Sequence, residues 1–272
     1  MKKIGASLRR LSEEPPFRLF SKAGVKRFAK SVRTKARWDV ASRPQYLVGV
    51  LAAADQALQE GVAEISAFEF GVASGNGLLA LGDIAAEVER ETGVRIGVYG
   101  FDGGTGLPEL TGDYRDHPDQ WQPGDYPMDE GALRRKLRSN TTLIIGNIRD
   151  TLPKHLPDIR EKIGFVAVDV DAYSSTCDVL SMFLDANRRM LRRVFMYFDD
   201  IDWIFNHRFA GELLAMQEFN SRSETVKIDR WMGVARQRPF PEESWLNRMY
   251  IAHDLAAISD VRTSRAAKII PT

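Results

Sequence analysis

Cysteine is almost absent from this sequence, because its 272 residues include only Cys177. A single cysteine excludes an intramolecular disulfide and any metal site built from several thiolates. Apolar runs long enough to span a bilayer are also missing, and the charged start MKKIGASLRRLSEEPP is not followed by the apolar core of a signal peptide. We therefore expect a protein of the reducing cytoplasm without a membrane-spanning segment.

The sequence also lacks an overall excess of one charge, since 38 Lys and Arg residues face 37 Asp and Glu residues. The whole chain therefore does not have the charge of a polyanion-binding protein. The charge is unevenly spread, because residues 1–37 hold twelve basic and two acidic residues, a local net charge of +10. Such a segment binds nucleic acid or anionic membranes in some proteins. Here we favour a helical segment that packs on the acidic remainder, and we expect no nucleic-acid or membrane partner.

Apolar runs of strand length alternate with amphipathic stretches of helix length along most of the chain. The predicted strands are 63–70, 94–102, 141–147, 163–171 and 192–200, and the predicted helices are 44–60, 78–93 and 175–191. Segments 224–237 and 247–255 resemble two further strands that would form a hairpin at one sheet edge. Strands that are apolar throughout and separated by helices favour a parallel sheet covered on both faces. We therefore expect an α/β, doubly wound, mostly parallel seven-stranded sheet.

The length fits one α/β domain with additions. We predict a basic helical N-terminal extension or lid over residues 1–43, a main domain over residues 44–260 and a C-terminal tail over residues 261–272. Residues 103–130, rich in proline, glycine and acids, are too many for an ordinary connection and indicate a functional loop or lid. The apolar helix face around residues 46–58 could pair two subunits in a homodimer.

Two polar features follow the first two predicted strands, at the sheet edge where α/β proteins bind ligands. In EFGVASGNG, residues 69–77, glycines after a strand allow close backbone approach and open a helix N-terminus. This segment is not the GxGxxG fingerprint, so a tight turn without a ligand is the alternative. Asp102 ends the next strand, where its carboxylate could accept hydrogen bonds from both hydroxyls of a ribose. The alternative is an aspartate that caps a turn.

Two acidic pairs, Asp169 with Asp171 and Asp199 with Asp200, end the fourth and fifth predicted strands. Side chains alternate along a strand, which would place Asp169 and Asp171 on one face. Burying like charges costs on the order of several kcal/mol unless a cation or donor compensates. Neighbouring strands are about 4.8 Å apart, so the four carboxylates could converge, and oxygen ligands without histidine or cysteine favour Mg²⁺ or a similar ion. Aspartates that cap adjacent helices are the alternative.

In their order along the chain, these residues resemble the motifs of class I S-adenosylmethionine-dependent methyltransferases. Within that class they are similar to the macrocin O-methyltransferase family, which modifies sugars in antibiotic biosynthesis. The matches run from about residue 64 to residue 220, and Gly77 stands where the family has a serine. The matched residues are Glu69, Gly71, Val72, Gly75, Phe101, Asp102, Gly106, Leu107, Pro108, Glu109, Asp150, Thr151, Leu152, Pro153, Asp169, Asp171, Tyr173, Ser175, Thr176, Asp199 and Asp200.

The resemblance implies a Rossmann-like methyltransferase fold and two cofactors, S-adenosylmethionine and Mg²⁺ or a similar divalent cation. It implies that Asp169, Asp199 and Asp200 are metal ligands and that Asp171 is the general base. The implied cofactor-binding residues are Glu69, Gly71, Val72, Ser74, Gly75, Asp102, Asn147, Ile148 and Asp169. In this arrangement the glycines face the methionine portion, Asp102 faces the ribose, and Asn147 with Ile148 faces the adenine.

The expected reaction is methyl transfer to a hydroxyl of a small molecule, a sugar or a sugar-containing natural product. A metal-dependent glycosyltransferase is the rival, because its DxD motif also follows an apolar strand and binds a metal with a nucleotide sugar. That rival does not explain Glu69, the glycine turn and Asp102 in their order. A second rival is a protein that binds S-adenosylmethionine without catalysing a reaction.

Overall fold

The computed structural model describes residue 14 and residues 17–107, 112–185, 189–202, 205–236 and 238–260. The predicted tail, residues 261–272, lies outside this part of the chain. The strands are β1 (Glu64–Phe70), β2 (Arg95–Asp102), β3 (Thr141–Ile145), β4 (Lys162–Val168), β5 (Met190–Phe198), β6 (Val226–Arg230) and β7 (Met249–Asp254). The α-helices are α1 (Phe17–Phe28), α2 (Val32–Trp38), α3 (Pro44–Glu60), α4 (Asn76–Thr92), α5 (Glu130–Arg134), α6 (Ile148–His155), α7 (Tyr173–Leu180), α8 (Gly211–Arg222) and α9 (Leu255–Ser259). Short 3₁₀ helices cover Tyr114–Asp116, Leu156–Asp158, Ser181–Phe183 and Ser244–Arg248.

The seven strands form one sheet in the order β3-β2-β1-β4-β5-β7-β6. Strands β1 to β5 pair in parallel, and β7 is antiparallel to both β5 and β6. The predicted α/β, mostly parallel seven-stranded sheet with a C-terminal hairpin and N-terminal helices is thus confirmed. Chain order reverses at β1, whose neighbours are β2 and β4. In open sheets of this kind, ligands bind at such a switch point, beyond the carboxyl ends of the strands.

Side-chain alternation divides the core into two layers, one on each face of the sheet. In β1, Ile65 and Ala67 pack with α3 and α4 on one face, whereas Phe68 and Phe70 pack with α6, α7 and α8 on the other. The apolar face of α3 belongs to this core, since Tyr46 is fully buried. The surface that we expected to pair subunits is therefore covered by the same chain, apart from Leu58, which is 52% exposed. A homodimer remains a prediction, but it would have to use a surface other than this helix face.

Helix α3 begins and ends where the sequence predicted. Pro44 occupies its first turn, and Gly61 ends it with a left-handed backbone (φ +67°). Proline is favourable at the first helical position and glycine just after the last, because proline has no amide to satisfy and glycine tolerates positive φ. Helix α4 likewise ends at Gly93, with φ +77°.

The predicted helix 175–191 is wrong in extent. Helix α7 ends at Leu180, a 3₁₀ turn follows, and strand β5 already begins at Met190. Met190 and Leu191 are buried in the sheet, so their apolar character belongs to a strand rather than to a helix face. Helices α6 and α8 were not predicted.

Four of the described basic residues near the N-terminus, Arg18, Lys22, Arg33 and Lys35, form ion pairs with acidic residues of the remainder. Arg18 contacts Glu242 at 2.6 Å and Lys35 contacts Glu87 at 2.8 Å. This pairing is the packing on an acidic body that the charge distribution favoured. None of the helices in the described residues has the length and apolar character needed to cross a bilayer. The predicted division at residues 43 and 260 remains a prediction.

Candidate active site

A cavity of about 650 Å³ lies beyond the carboxyl ends of the parallel strands. Of the residues predicted to form a site, Gly75 is not part of its wall; it precedes helix α4 and packs against the Leu133 side chain. Those that line the cavity are Glu69, Gly71, Val72, Ser74, Asp102, Asn147, Ile148, Asp169, Asp171, Asp199 and Asp200. The fold thus gathers nearly all of these side chains around one space.

Gly71, directly after β1, brings two backbone segments together. Its φ is +83°, and a Cβ atom at this position would lie 1.6 Å from the carbonyl oxygen of Asp169. The close approach expected for this glycine is therefore an approach to the chain itself. Its amide donates to the carbonyl of Phe101 at 2.9 Å. The turn after β1 is fixed in this way between β2 and β4.

Asp102 holds the loops after β1 and β2 in place. Its Oδ2 atom accepts hydrogen bonds from the amides of Val72 (2.8 Å) and Ala73 (2.9 Å), and its Oδ1 atom accepts one from Gly104 (2.6 Å). A carboxylate has about four acceptor sites, so these three bonds leave room for about one more. The turn-capping role is therefore present, and a ribose would meet a carboxylate that is already largely satisfied.

Glu69, near the end of β1, is 1% exposed. Its Oε1 atom accepts a hydrogen bond from the Tyr46 hydroxyl at 2.8 Å, whereas Oε2 is buried without a hydrogen-bond partner among the described residues. Burial raises the pKa of Glu69 to about 8. A Cβ atom at Gly77 would lie 1.8 Å from Oε1, so in this chain Glu69 occupies the space of a larger side chain at position 77.

Three carboxylates converge after β4 and β5. Ligand oxygens of Asp169, Asp199 and Asp200 all lie within 4.8 Å of one another. Asp199 also accepts hydrogen bonds from Tyr197 (2.5 Å) and Arg248 (3.2 Å). Burial and the neighbouring carboxylates raise the pKa values of Asp169 and Asp200. The negative charges of Asp169 and Asp200 are therefore unfavourable without a further cation.

Asp171 lies at the site, but not because of the strand alternation that predicted its position. Strand β4 ends at Val168, so Asp169 and Asp171 do not share a strand face. The chain instead turns at Asp171, whose φ is +60°, before α7 begins at Tyr173. Burial, followed by the charge of Asp169, raises the pKa of Asp171. Asp171 thus adjoins the acidic trio without belonging to it.

Asn147 begins α6 and accepts a hydrogen bond from the amide of Arg149 at 2.9 Å. It therefore acts as a helix cap and leaves its amide group at the cavity wall, beside Ile148. Both residues lie at the end of β3, on the opposite side of β1 from the acidic trio in the sheet order.

Sequence reasoning missed several residues of the cavity wall, among them Arg43, Tyr126 and Arg248. Arg43 precedes α3 and Arg248 precedes β7, so neither follows a parallel strand, the position that identified the other residues. Tyr126 lies in the predicted loop and has a left-handed backbone (φ +63°). Such a conformation in a residue other than glycine is strained and is often found at functional sites, but it leaves no signal in the sequence.

Residues 68–201 match the family model described as a methyltransferase domain. The chain contains a methyltransferase domain. Its fold is that of class I S-adenosylmethionine-dependent methyltransferases, as expected from the motifs. The matched segment runs from within β1 to just after the acidic trio, so it includes every carboxylate of the predicted site. The narrower resemblance to the macrocin O-methyltransferase family stays a prediction.

The methyltransferase domain has structural relatives among solved proteins. The crystal structure of CalS11, a calicheamicin methyltransferase, superposes with a TM-score of 0.51 at 22% sequence identity, covering 76% of this chain and 77% of that one. A structure described as apo CalS11, a TDP-rhamnose 3′-O-methyltransferase of calicheamicin biosynthesis, gives a TM-score of 0.45 at 19% identity, covering 76% and 79%. The first of these similarities supports the fold. No curated protein sequence matches the chain significantly.

Proposed function

We propose that this protein is an S-adenosylmethionine- and divalent-metal-dependent O-methyltransferase that acts on a hydroxyl of a small molecule. The observation that carries the proposal is the position of the acidic trio. Its three carboxylates lie within 4.8 Å of one another, in the same cavity wall as Glu69 and the turn after β1. One cavity thus combines residues suited to the methyl donor with residues suited to a cation beside the acceptor.

S-adenosylmethionine, when bound, supplies a methyl group on a positively charged sulfur. The turn at Gly71, Val72 and Ser74 would face its methionine portion. Asp102 would accept a hydrogen bond from the ribose, and we expect one hydroxyl rather than two, because backbone amides use its other acceptor sites. Asn147 and Ile148 would face the adenine. Gly75 would contribute by starting α4 rather than by contact.

The acidic trio has the chemistry of a site for Mg²⁺ or a similar hard cation. All of its ligand atoms are carboxylate oxygens, and Oδ2 of Asp200 is buried without a hydrogen-bond partner among the described residues. Asp169, Asp199 and Asp200 would hold the ion. A bound divalent cation would act as a Lewis acid on the acceptor hydroxyl and make it more acidic.

Asp171 would remove the proton from the acceptor hydroxyl as the general base. It lines the same cavity as the acidic trio, within reach of an acceptor held there. The protein would also position the acceptor, since correct orientation of two reactants lowers the activation free energy by up to about 7–11 kcal/mol. The loop residues Trp121, Asp125 and Tyr126 line the cavity and would cover the acceptor and exclude water.

For the acceptor we propose a sugar or a sugar-containing natural product, in agreement with the motif resemblance. Vicinal hydroxyls of a sugar ring would present two oxygens to a cation held by the trio. The same geometry would also accept another vicinal diol, so the acceptor is tested separately from the reaction.

Calorimetric titration distinguishes the proposal from its rivals. We expect the protein to bind S-adenosylhomocysteine, whereas binding of a nucleotide sugar alone would favour a glycosyltransferase. The double variant Asp199→Asn, Asp200→Asn should lose Mg²⁺ binding but keep S-adenosylhomocysteine. Asp178→Asn, at a cavity aspartate outside the trio, is the matched control and should keep both. Unchanged Mg²⁺ affinity in the double variant would mean that the trio is structural.

A further inference from the structure

Arg43 projects into the cavity from a rigid position. It precedes Pro44 at the start of α3, and its carbonyl accepts hydrogen bonds from the amides of Tyr46 and Leu47, each at 3.1 Å. Its guanidinium lies 5.3 Å from the centroid of the Tyr46 ring. The side chain takes no part in capping the helix. The backbone hydrogen bonds and the ring contact therefore position the Arg43 side chain. Its guanidinium remains available to a ligand in the cavity.

Among the described residues, the Arg43 guanidinium forms no hydrogen bond or ion pair. The two other arginines of the cavity wall differ, because Arg248 pairs with Asp199 at 3.2 Å and Arg149 pairs with Asp178 at 3.4 Å. A guanidinium has five N–H donors that match a carboxylate in a planar, bidentate geometry. Arg43 is thus a half-buried cation at the cavity wall, and its N–H donors have no hydrogen-bond partner among the described residues.

The neighbours of Arg43 indicate which ligand. Burial is the largest influence on its pKa and lowers it, but Tyr46, Glu69 and Asp169 raise it more, so the side chain stays charged. Tyr46 also donates to Glu69, so Arg43, Tyr46 and Glu69 form one cluster at the end of β1. This cluster offers a cation and, at the unpartnered Oε2 of Glu69, a buried carboxylate acceptor.

A cation next to a carboxylate complements an α-amino acid, whose own carboxylate and ammonium groups are neighbours. An isolated anion would be unfavourable beside Glu69, because burial of that side chain already disfavours negative charge there. A zwitterion avoids this problem, because its ammonium group balances its carboxylate. The methionine end of S-adenosylmethionine is such a zwitterion.

We propose that Arg43 binds the α-carboxylate of the methionine portion of S-adenosylmethionine. The assignment rests on the proposed function, and it gives the cofactor site a contact from outside the matched segment 68–201. Arg43 would then give molecules that carry the amino-acid end a higher affinity than molecules that lack it.

The test uses two ligands, S-adenosylhomocysteine and 5′-methylthioadenosine, which shares the adenosine and sulfur but lacks the amino-acid end. In Arg43→Met, affinity for S-adenosylhomocysteine should fall roughly 10- to 100-fold, the loss of a charge-assisted contact. Affinity for 5′-methylthioadenosine should stay unchanged. Arg43→Lys should give an intermediate loss, because it keeps the charge but not the fork of donors.

Arg149→Met is the matched control, and its ratio of the two affinities should equal that of the unmodified protein. An equal loss of affinity for both ligands in Arg43→Met would indicate a structural role for Arg43. Unchanged affinity for both would indicate that Arg43 contacts the acceptor instead. Either result overturns the Arg43 assignment alone. If the unmodified protein binds neither ligand, the proposed function fails together with it.

Discussion

Single residues decide how closely the segments of the site approach one another. The glycines after β1 indicated a ligand in contact with the backbone. In the structure, the space beside Gly71 is filled by the carbonyl of Asp169, and the space beside Gly77 by the carboxylate of Glu69. Glycine is required at Gly71, where a Cβ atom would meet backbone, whereas at Gly77 the neighbour is the end of the Glu69 side chain. Sequence reasoning identified the right residues but could not supply this reason, which depends on a contact between distant segments.

Gly71→Ala should destabilise the protein severely, by more than about 4 kcal/mol, because its Cβ atom would overlap the Asp169 carbonyl. Gly93→Ala is the control, since Gly93 also has positive φ (+77°) but no atom of the described part of the chain lies within 4 Å of the position that a Cβ atom would take there. It should cost only the strain of about 1–2 kcal/mol for a left-handed residue. Urea denaturation of both variants measures the difference, and equal losses would contradict the packing role of Gly71.

Carboxylates at strand ends could be predicted from the sequence, because each strand is a recognisable apolar run and the residue after it has a defined place in the sheet. Asp169, Asp199 and Asp200 were found in this way and do converge. Asp171 was placed correctly in the site but for the wrong reason, since a left-handed turn and not strand alternation brings it there. Arg43 could not be predicted as a site residue, because its local sequence does not show which strand end lies next to its helix.

At the scale of elements, the loop after β2 is closed by two backbone hydrogen bonds. The Leu107 amide donates to Asp125 at 2.8 Å, and the Gly124 amide donates to Leu107 at 2.9 Å. Gly106, with φ +93°, allows this approach, because a Cβ atom there would lie 2.4 Å from the Asp125 carbonyl. The pairing fixes Asp125 and Tyr126 at the cavity wall. The length of the loop predicted a functional segment, but not the contact that holds its two ends together.

Gly106→Ala should open this pairing and speed hydrogen exchange of the Leu107 and Gly124 amides by at least about tenfold, which corresponds to about 1.4 kcal/mol of lost local stability. Gly112→Ala lies in the same loop with φ +73°, and its Cβ atom would meet no described residue within 4 Å, so exchange at these amides should not change. Exchange measured by NMR or mass spectrometry tests both variants. The same rate in both would mean that the pairing does not depend on Gly106.

Element boundaries were predictable where the sequence marks them. Pro44 and Gly61 delimit α3, and the predicted and observed residues agree. No such signal separates α7 from β5, and the apolar residues Met190 and Leu191 fit either a helix face or a buried strand. The strand takes them because Met190 pairs with Ile163 of β4.

On the scale of the whole molecule, contacts between the two ends of the chain hold the N-terminal helices to the sheet domain. Arg238 pairs with Asp39, directly after α2, and donates to the carbonyl of Ala36 at 2.6 Å. The side chains of this pair are 8% and 2% exposed. Its residues are 199 positions apart, and sequence reasoning had no means of joining them. The sheet, in contrast, was predictable because its strands repeat one pattern.

Arg238→Met should destabilise the protein by about 3–5 kcal/mol, because it leaves Asp39 buried without its partner. The control is Arg33→Met, which breaks an exposed pair with Asp55 (51% and 20% exposed) and should cost less than about 1 kcal/mol. Equilibrium unfolding in urea compares the two. A loss below about 1 kcal/mol in Arg238→Met would show that the end-to-end contact adds little to stability.

The peptide unit around Asp169 has a consequence for any reaction in the cavity. The Asp169 amide donates to the Phe70 carbonyl at 2.9 Å, its carbonyl fills the space beside Gly71, and its side chain belongs to the acidic trio. Under the proposed function, the main-chain position of Asp169 therefore constrains the separation between donor sulfur and acceptor oxygen. A displacement near 1 Å costs about 100-fold in rate in such reactions. Evolution of a new acceptor preference in this protein would thus have to proceed through the surrounding loops and leave this junction intact.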